Sequence, residues 1–97
     1  METYVIFRRN GWRTADDLQE AADRSTAEGD RMREELRWIR SYVLAERDRT
    51  VGTICIYQAK SPEGIRRHAD RADLPIDEIV QVADTVIVRP DPVQIAT

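Results

Sequence analysis

The sequence holds one cysteine, one histidine and one phenylalanine among 97 residues. A single cysteine excludes an internal disulfide framework and fits a reducing compartment. One histidine and one cysteine make a closed zinc or nickel site hard to build within one chain. There is no glycine-rich phosphate loop, no CxxC, no HExxH and no Ser/His/Asp motif. No apolar run is long enough to span a bilayer, and no signal-peptide pattern follows Met1. Charge of one sign is not segregated either. The 15 Lys and Arg and the 18 Asp and Glu are interspersed, net −3 at neutral pH, which argues against nucleic acid as a partner. These absences lead us to expect a cytoplasmic protein that partners neither nucleic acid nor membrane.

What is present is one domain's worth of chain, with 41% hydrophobic residues, enough for a core without staples. Residues 36–62 organise it. Leu36–Ala45 and Val51–Ala59 are rich in β-branched and aromatic residues and read as two strands joined by a short charged hairpin loop. With Glu46 opposite Val51, Tyr42 falls opposite Cys55 and Arg40 opposite Tyr57. Alternation then writes Trp38, Arg40, Tyr42, Leu44, Cys55 and Tyr57 onto one face. Ile39, Ser41, Val43, Ile54 and Ile56 fall on the other. Neither face alternates cleanly enough to be a solvent face, so each needs a cover.

Residues 3–8 read as a first strand, ended by Asn10-Gly11. Thr14, with Asp17 three residues on, opens a helix whose inner face is Leu18, Ala21, Ala22, Ser25, Gly29, Met32 and Leu36. The opposite face, with Glu20, Arg24, Glu28 and Arg31, reads as a solvated surface of charge pairs. Ser61-Pro62 opens a second helix with Ile65, His68, Ala69 and Ala72 inward, closed by Leu74-Pro75. A last extended segment runs from Ile79 to Val88, with Asp84 marking a bulge or break. The order strand, helix, strand, strand, helix, strand is the ferredoxin-like α+β arrangement, a four-stranded antiparallel sheet with both helices on one face. We expect one domain over residues 1–90, with 91–97 a C-terminal tail. Two helices cover one sheet face only, so a homodimer through the other face is expected. Small helix residues suit bulky partners, which assigns the aromatic face to the helices and the aliphatic face to the dimer.

Trp38, Arg40, Tyr42, Cys55 and Tyr57 are then candidates to line a ligand pocket, with Trp12 and Arg13 near its mouth. Arg40 needs an anion, a carbonyl or a ring to stack on. His68 is the candidate acid/base or metal ligand, against the plain alternative of a histidine hydrogen-bonded at the core boundary. Cys55 is the other candidate metal ligand, or an inert buried thiol.

Several short motifs fall in order along most of the chain: Thr14-Ala15-Asp16-Asp17-Leu18, Leu36-Arg37-Trp38-Ile39-Arg40-Ser41-Tyr42-Val43, Cys55-Ile56-Tyr57-Gln58-Ala59, Ser61-Pro62-Glu63-Gly64-Ile65-Arg66-Arg67-His68-Ala69 and Leu74-Pro75-Ile76-Asp77-Glu78-Ile79. Together they resemble the domain-of-unknown-function family numbered 4242. The resemblance implies a ferredoxin-like homodimer, and nickel as the candidate cofactor, since some members are described as nickel-binding. The readings that follow are a ligand- or metal-binding protein, a cofactor-independent enzyme on a small hydrophobic substrate (monooxygenase-, isomerase- or cyclase-like), or a structural module with no active site.

Overall fold

The computed structural model describes residues 1–93. It consists of β1 (Glu2–Trp12), α1 (Ala15–Arg31), β2 (Leu36–Ala45), β3 (Val51–Ala59), α2 (Pro62–Ala72) and β4 (Glu78–Gln81). The strands form one antiparallel sheet in the order β2-β3-β1-β4, which is the ferredoxin-like α+β fold. Residues 94–97 of the expected tail lie outside the described residues.

β1 and β3 form the middle of the sheet. Tyr4 lies opposite Tyr57, Ile6 opposite Cys55 and Arg8 opposite Thr53. All six are buried, and they share the face the helices cover. Leu36, Met32, Ala59 and Ile65 complete the core, with Ile76 and Ile79 packed against it. Val5, Phe7, Ile54 and Ile56 are half-buried on the opposite face.

Both helices start as their sequences require. The Thr14 hydroxyl accepts from the Asp17 amide at 3.1 Å, and the Ser61 hydroxyl accepts from Gly64 at 3.3 Å. They seat differently, however. α2 buries Gly64, Ile65, His68, Ala69 and Ala72, whereas α1 buries only Ala21 and Ser25. Polar contacts to α2 hold α1 in place. Arg24 Nε donates to the Ala72 carbonyl at 2.8 Å, satisfying an orphan acceptor at the C-terminus of α2. Arg24, though exposed on the solvated face expected for it, also joins the helix–helix contact.

Three expectations about strands are corrected. β1 does not stop at Asn10-Gly11. It passes through a register shift, with Asn10 at φ 51°, and resumes at Trp12 opposite Val51. β4 ends at Gln81. After Val82 donates to Thr3 the chain leaves the sheet, and Val86, Ile87 and Val88 are exposed. The β2–β3 register is Ala45 opposite Val51, not Glu46. Arg49 takes a left-handed conformation (φ 70°), its amide donates to the Glu46 carbonyl, and the loop takes one residue more.

The β1 irregularity leaves no room beside it. A Cβ added at Gly52 would stand 2.8 Å from the Arg8 carbonyl oxygen and 2.7 Å from a Glu46 carboxylate oxygen. That carboxylate is itself committed, accepting from the Asn10 amide at 2.7 Å and from Arg9. Gly52→Ala is expected to destabilise by about 1–3 kcal/mol, the range for overpacking. Urea unfolding measures it, and an unchanged midpoint would show that the strands separate freely here.

Candidate functional site

A cavity of about 600 Å³ lies between α1 and the sheet. Its floor is the helix-facing side of β3 and β2. Trp38 lies opposite Tyr57, and their rings stack nearly parallel (9°) with centroids 6.3 Å apart. Trp38 Nε1 donates to the Ser41 hydroxyl at 2.8 Å, which fixes the indole. Cys55 and Thr53 continue the floor, and Ala21, Ala22 and Ser25 of α1 form the roof. The mouth runs along β2, where Trp38, Ile39 and Val43 remain 41–63% exposed. The small residues of α1, read from the sequence as room for bulky rings, leave a void above those rings.

Trp38, Cys55 and Tyr57 thus converge on one cavity, and Trp12 closes one end, buried. Tyr42 does not join them. β2 shifts register between Trp38 and Arg40, so Arg40 falls opposite Ile56 and Tyr42 opposite Ile54, on the other face. A bulge inserts one residue and reverses the alternation beyond it. Arg40 reaches the cavity rim, but its guanidinium pairs with Asp91, which also accepts from the Tyr42 hydroxyl at 3.0 Å. Ser41 and Val43, expected on the aliphatic face, border the cavity, and Leu44 moves to the opposite face. Arg13 is exposed and takes no part in the lining.

The residue missed in the sequence is Arg8. It is 1% exposed and lines the cavity. One guanidinium nitrogen donates to the Pro75 carbonyl at 2.6 Å, while Nη2 is buried without a partner. The signal was available: Arg8 continues the Tyr4, Ile6 alternation and so had to share their buried face.

His68 is also buried, at 1% exposure, and lines a second, smaller cavity of about 290 Å³. Its Nε2 lies 2.9 Å from the Ser25 carbonyl, to which it donates, and Nδ1 has no partner. Burial lowers its pKa below the ordinary value, and the Arg8 charge adds to this against the Ser25 hydrogen bond. Burial likewise raises the Tyr57 pKa, so its hydroxyl, 3.3 Å from that of Ser25, stays protonated.

The donor set does not fit a nickel centre within one chain. The Cys55 thiol lies against the Thr53 hydroxyl at 3.3 Å, and His68 is committed to Ser25. Among the described residues no group of three or more His, Cys, Asp or Glu is placed to hold a metal ion. No helix among them is long and apolar enough to cross a membrane.

Protonating His68 would place a charge and an unmatched N–H in the core. Its folded pKa lies below its unfolded value near 6.5, so its contribution to stability is whole above that pH. The contribution is lost as pH falls from there through the folded value. Thermal melting from pH 7 to pH 5 is expected to show a decline that His68→Gln flattens. Parallel profiles for the two proteins would refute this.

A family model described as nickel responsive protein SCO4226-like matches residues 4–82. The number 4242 is not part of that match. No curated protein matches. Among solved structures, the crystal structure of SCO4226 from Streptomyces coelicolor A3(2) aligns with a TM-score of 0.66 at 22% identity, covering 87% of this chain and 99% of that one. At that identity the likeness carries the fold, whereas the family model spans most of the chain, and the protein belongs to the SCO4226-like family of nickel responsive proteins.

Proposed function

We propose that this protein is a binding module for a small, largely apolar molecule, seated between α1 and the sheet. The observation that carries this is the cavity itself. Its volume lies within the range of small-molecule sites, roughly 300–1,000 Å³. It has an aromatic floor in Trp38 and Tyr57 and a roof on α1 where Ala21, Ala22 and Ser25 lie beside Leu18 and Gln19. A cavity that served only as core would be filled. The acid/base reading of His68 is not favoured, because its Nε2 is engaged and it lines the other cavity. Among the described residues no donor set suits the nickel in the family's description, so a nickel-linked role would call for donors from elsewhere, such as a second chain.

We propose further that two copies associate through the open sheet face. Val5, Phe7, Ile54 and Ile56 are half-buried there, and Tyr42 and Val80 remain exposed. Such a face on a small domain calls for a cover.

Two measurements test these readings. Titration with 2-naphthamide, a neutral planar probe, is expected to quench tryptophan fluorescence saturably, since Trp12 and Trp38 both line the cavity. Ala22→Leu, which fills the roof, is expected to abolish that response while leaving the circular dichroism unchanged. Binding unaffected by Ala22→Leu would place the probe elsewhere. Light scattering at micromolar concentration is expected to give the dimer mass, and Ile54→Asp the monomer mass. A monomeric parent protein would remove the interface.

A further inference from the structure

We infer that the ligand of this cavity is a monoanion, in chemical terms an apolar carboxylate, and that Arg8 is the residue that reads its charge. The inference rests on the cavity being a binding site and adds the class of molecule.

Arg8 is buried, and among the described residues no carboxylate meets it. Among the described residues, Arg8 Nη1 donates to the neutral Pro75 carbonyl, and Nη2 has no partner. The four ion pairs among the described residues use Arg9, Arg31, Arg40 and Arg67, not Arg8. No Asp or Glu lines the cavity. An enclosed guanidinium without a counter-charge costs several kcal/mol, and an unmet buried donor adds to that cost. The neighbouring groups are donors too. Thr53 lies opposite Arg8 on the same face, and its hydroxyl oxygen already accepts from Cys55, which leaves its hydrogen free. The site therefore offers a guanidinium N–H and a hydroxyl to an acceptor with negative charge, at one end of a chamber floored by Trp38 and Tyr57.

The charge of the ligand is limited by the same count. Arg40, the other arginine at the cavity, is at the rim and paired with Asp91. A single unpaired cation matches a carboxylate and leaves a phosphate dianion half-neutralised in a dry site. The body of the ligand is set by Trp38 and Tyr57, whose stacked rings suit a flat or chain-like apolar group.

The test compares 2-naphthoate with 2-naphthamide, which share shape and differ in charge. Calorimetry on the unaltered protein is expected to give naphthoate at least about tenfold the affinity of naphthamide, the effect of one charge-assisted hydrogen bond. Arg8→Met keeps the long apolar stem and removes the charge. It is expected to abolish the preference while retaining naphthamide binding, and Arg8→Lys to restore part of it. Equal affinities on the unaltered protein would overturn the anion assignment and leave the binding module standing. Failure of both probes to bind would overturn the module and this inference with it. The preference is measured first on the unaltered protein, so the anion assignment stands or falls whether or not Arg8→Met folds.

Discussion

The structure depends on the pairing of β1 with β3. Once Tyr4 faces Tyr57 and Ile6 faces Cys55, alternation carries Arg8 and Thr53 to the same covered side. A guanidinium and a hydroxyl thus enter a layer that is otherwise apolar. Every later feature accommodates this. Pro75, in the link after α2, turns a carbonyl onto Arg8. α1 presents alanine and serine above it in place of larger side chains. The sheet's centre is thereby a packed core at the β1 start and a polar-edged chamber at the β1 end.

Much of this was legible in the sequence, because it rests on local signals. Thr14 and Ser61 mark helix starts by a hydroxyl that caps a backbone amide. The 3.6-residue spacing of Ile65, His68, Ala69 and Ala72 places α2 on the core. The alternation in β3 puts Cys55 and Tyr57 on one side, and the order of elements then leaves little choice of fold. The assignment of Arg40 and Tyr42 failed for a different reason. A bulge between Trp38 and Arg40 and an added loop residue at Arg49 are both one-residue events. No apolar pattern announces them, since β2 carries large side chains on both faces. Together they keep Trp38 over Tyr57 and send Tyr42 to the other side.

Arg24 and Arg8 show a second limit. Each is an arginine in a run whose polarity suggests solvent, and each is engaged through backbone carbonyls instead, Ala72 and Pro75. Carbonyl acceptors at the end of a helix and just beyond it exist at every such end, so the sequence cannot say which will be met from afar. Periodicity still constrains the answer for Arg8. Its parity with Tyr4 and Ile6 left only the covered face, and the long side chain is what lets it reach a carbonyl 67 positions away.

α1 is held by polar contacts both to α2 beside it and to the sheet below it. Arg24 ties it to the C-terminus of α2, His68 ties the Ser25 carbonyl to the middle of α2, and the Ser25 hydroxyl meets that of Tyr57. α2, by contrast, is drawn onto the sheet by Ile65, which is fully buried. The two helices therefore divide the work. α2 supplies the apolar burial that makes the domain stable, and α1 is a roof positioned by hydrogen bonds to it. On the proposed reading, an occupant entering along β2 would leave intact the contacts that fix α1, and less of the ordering cost that usually opposes binding would fall on the binding step.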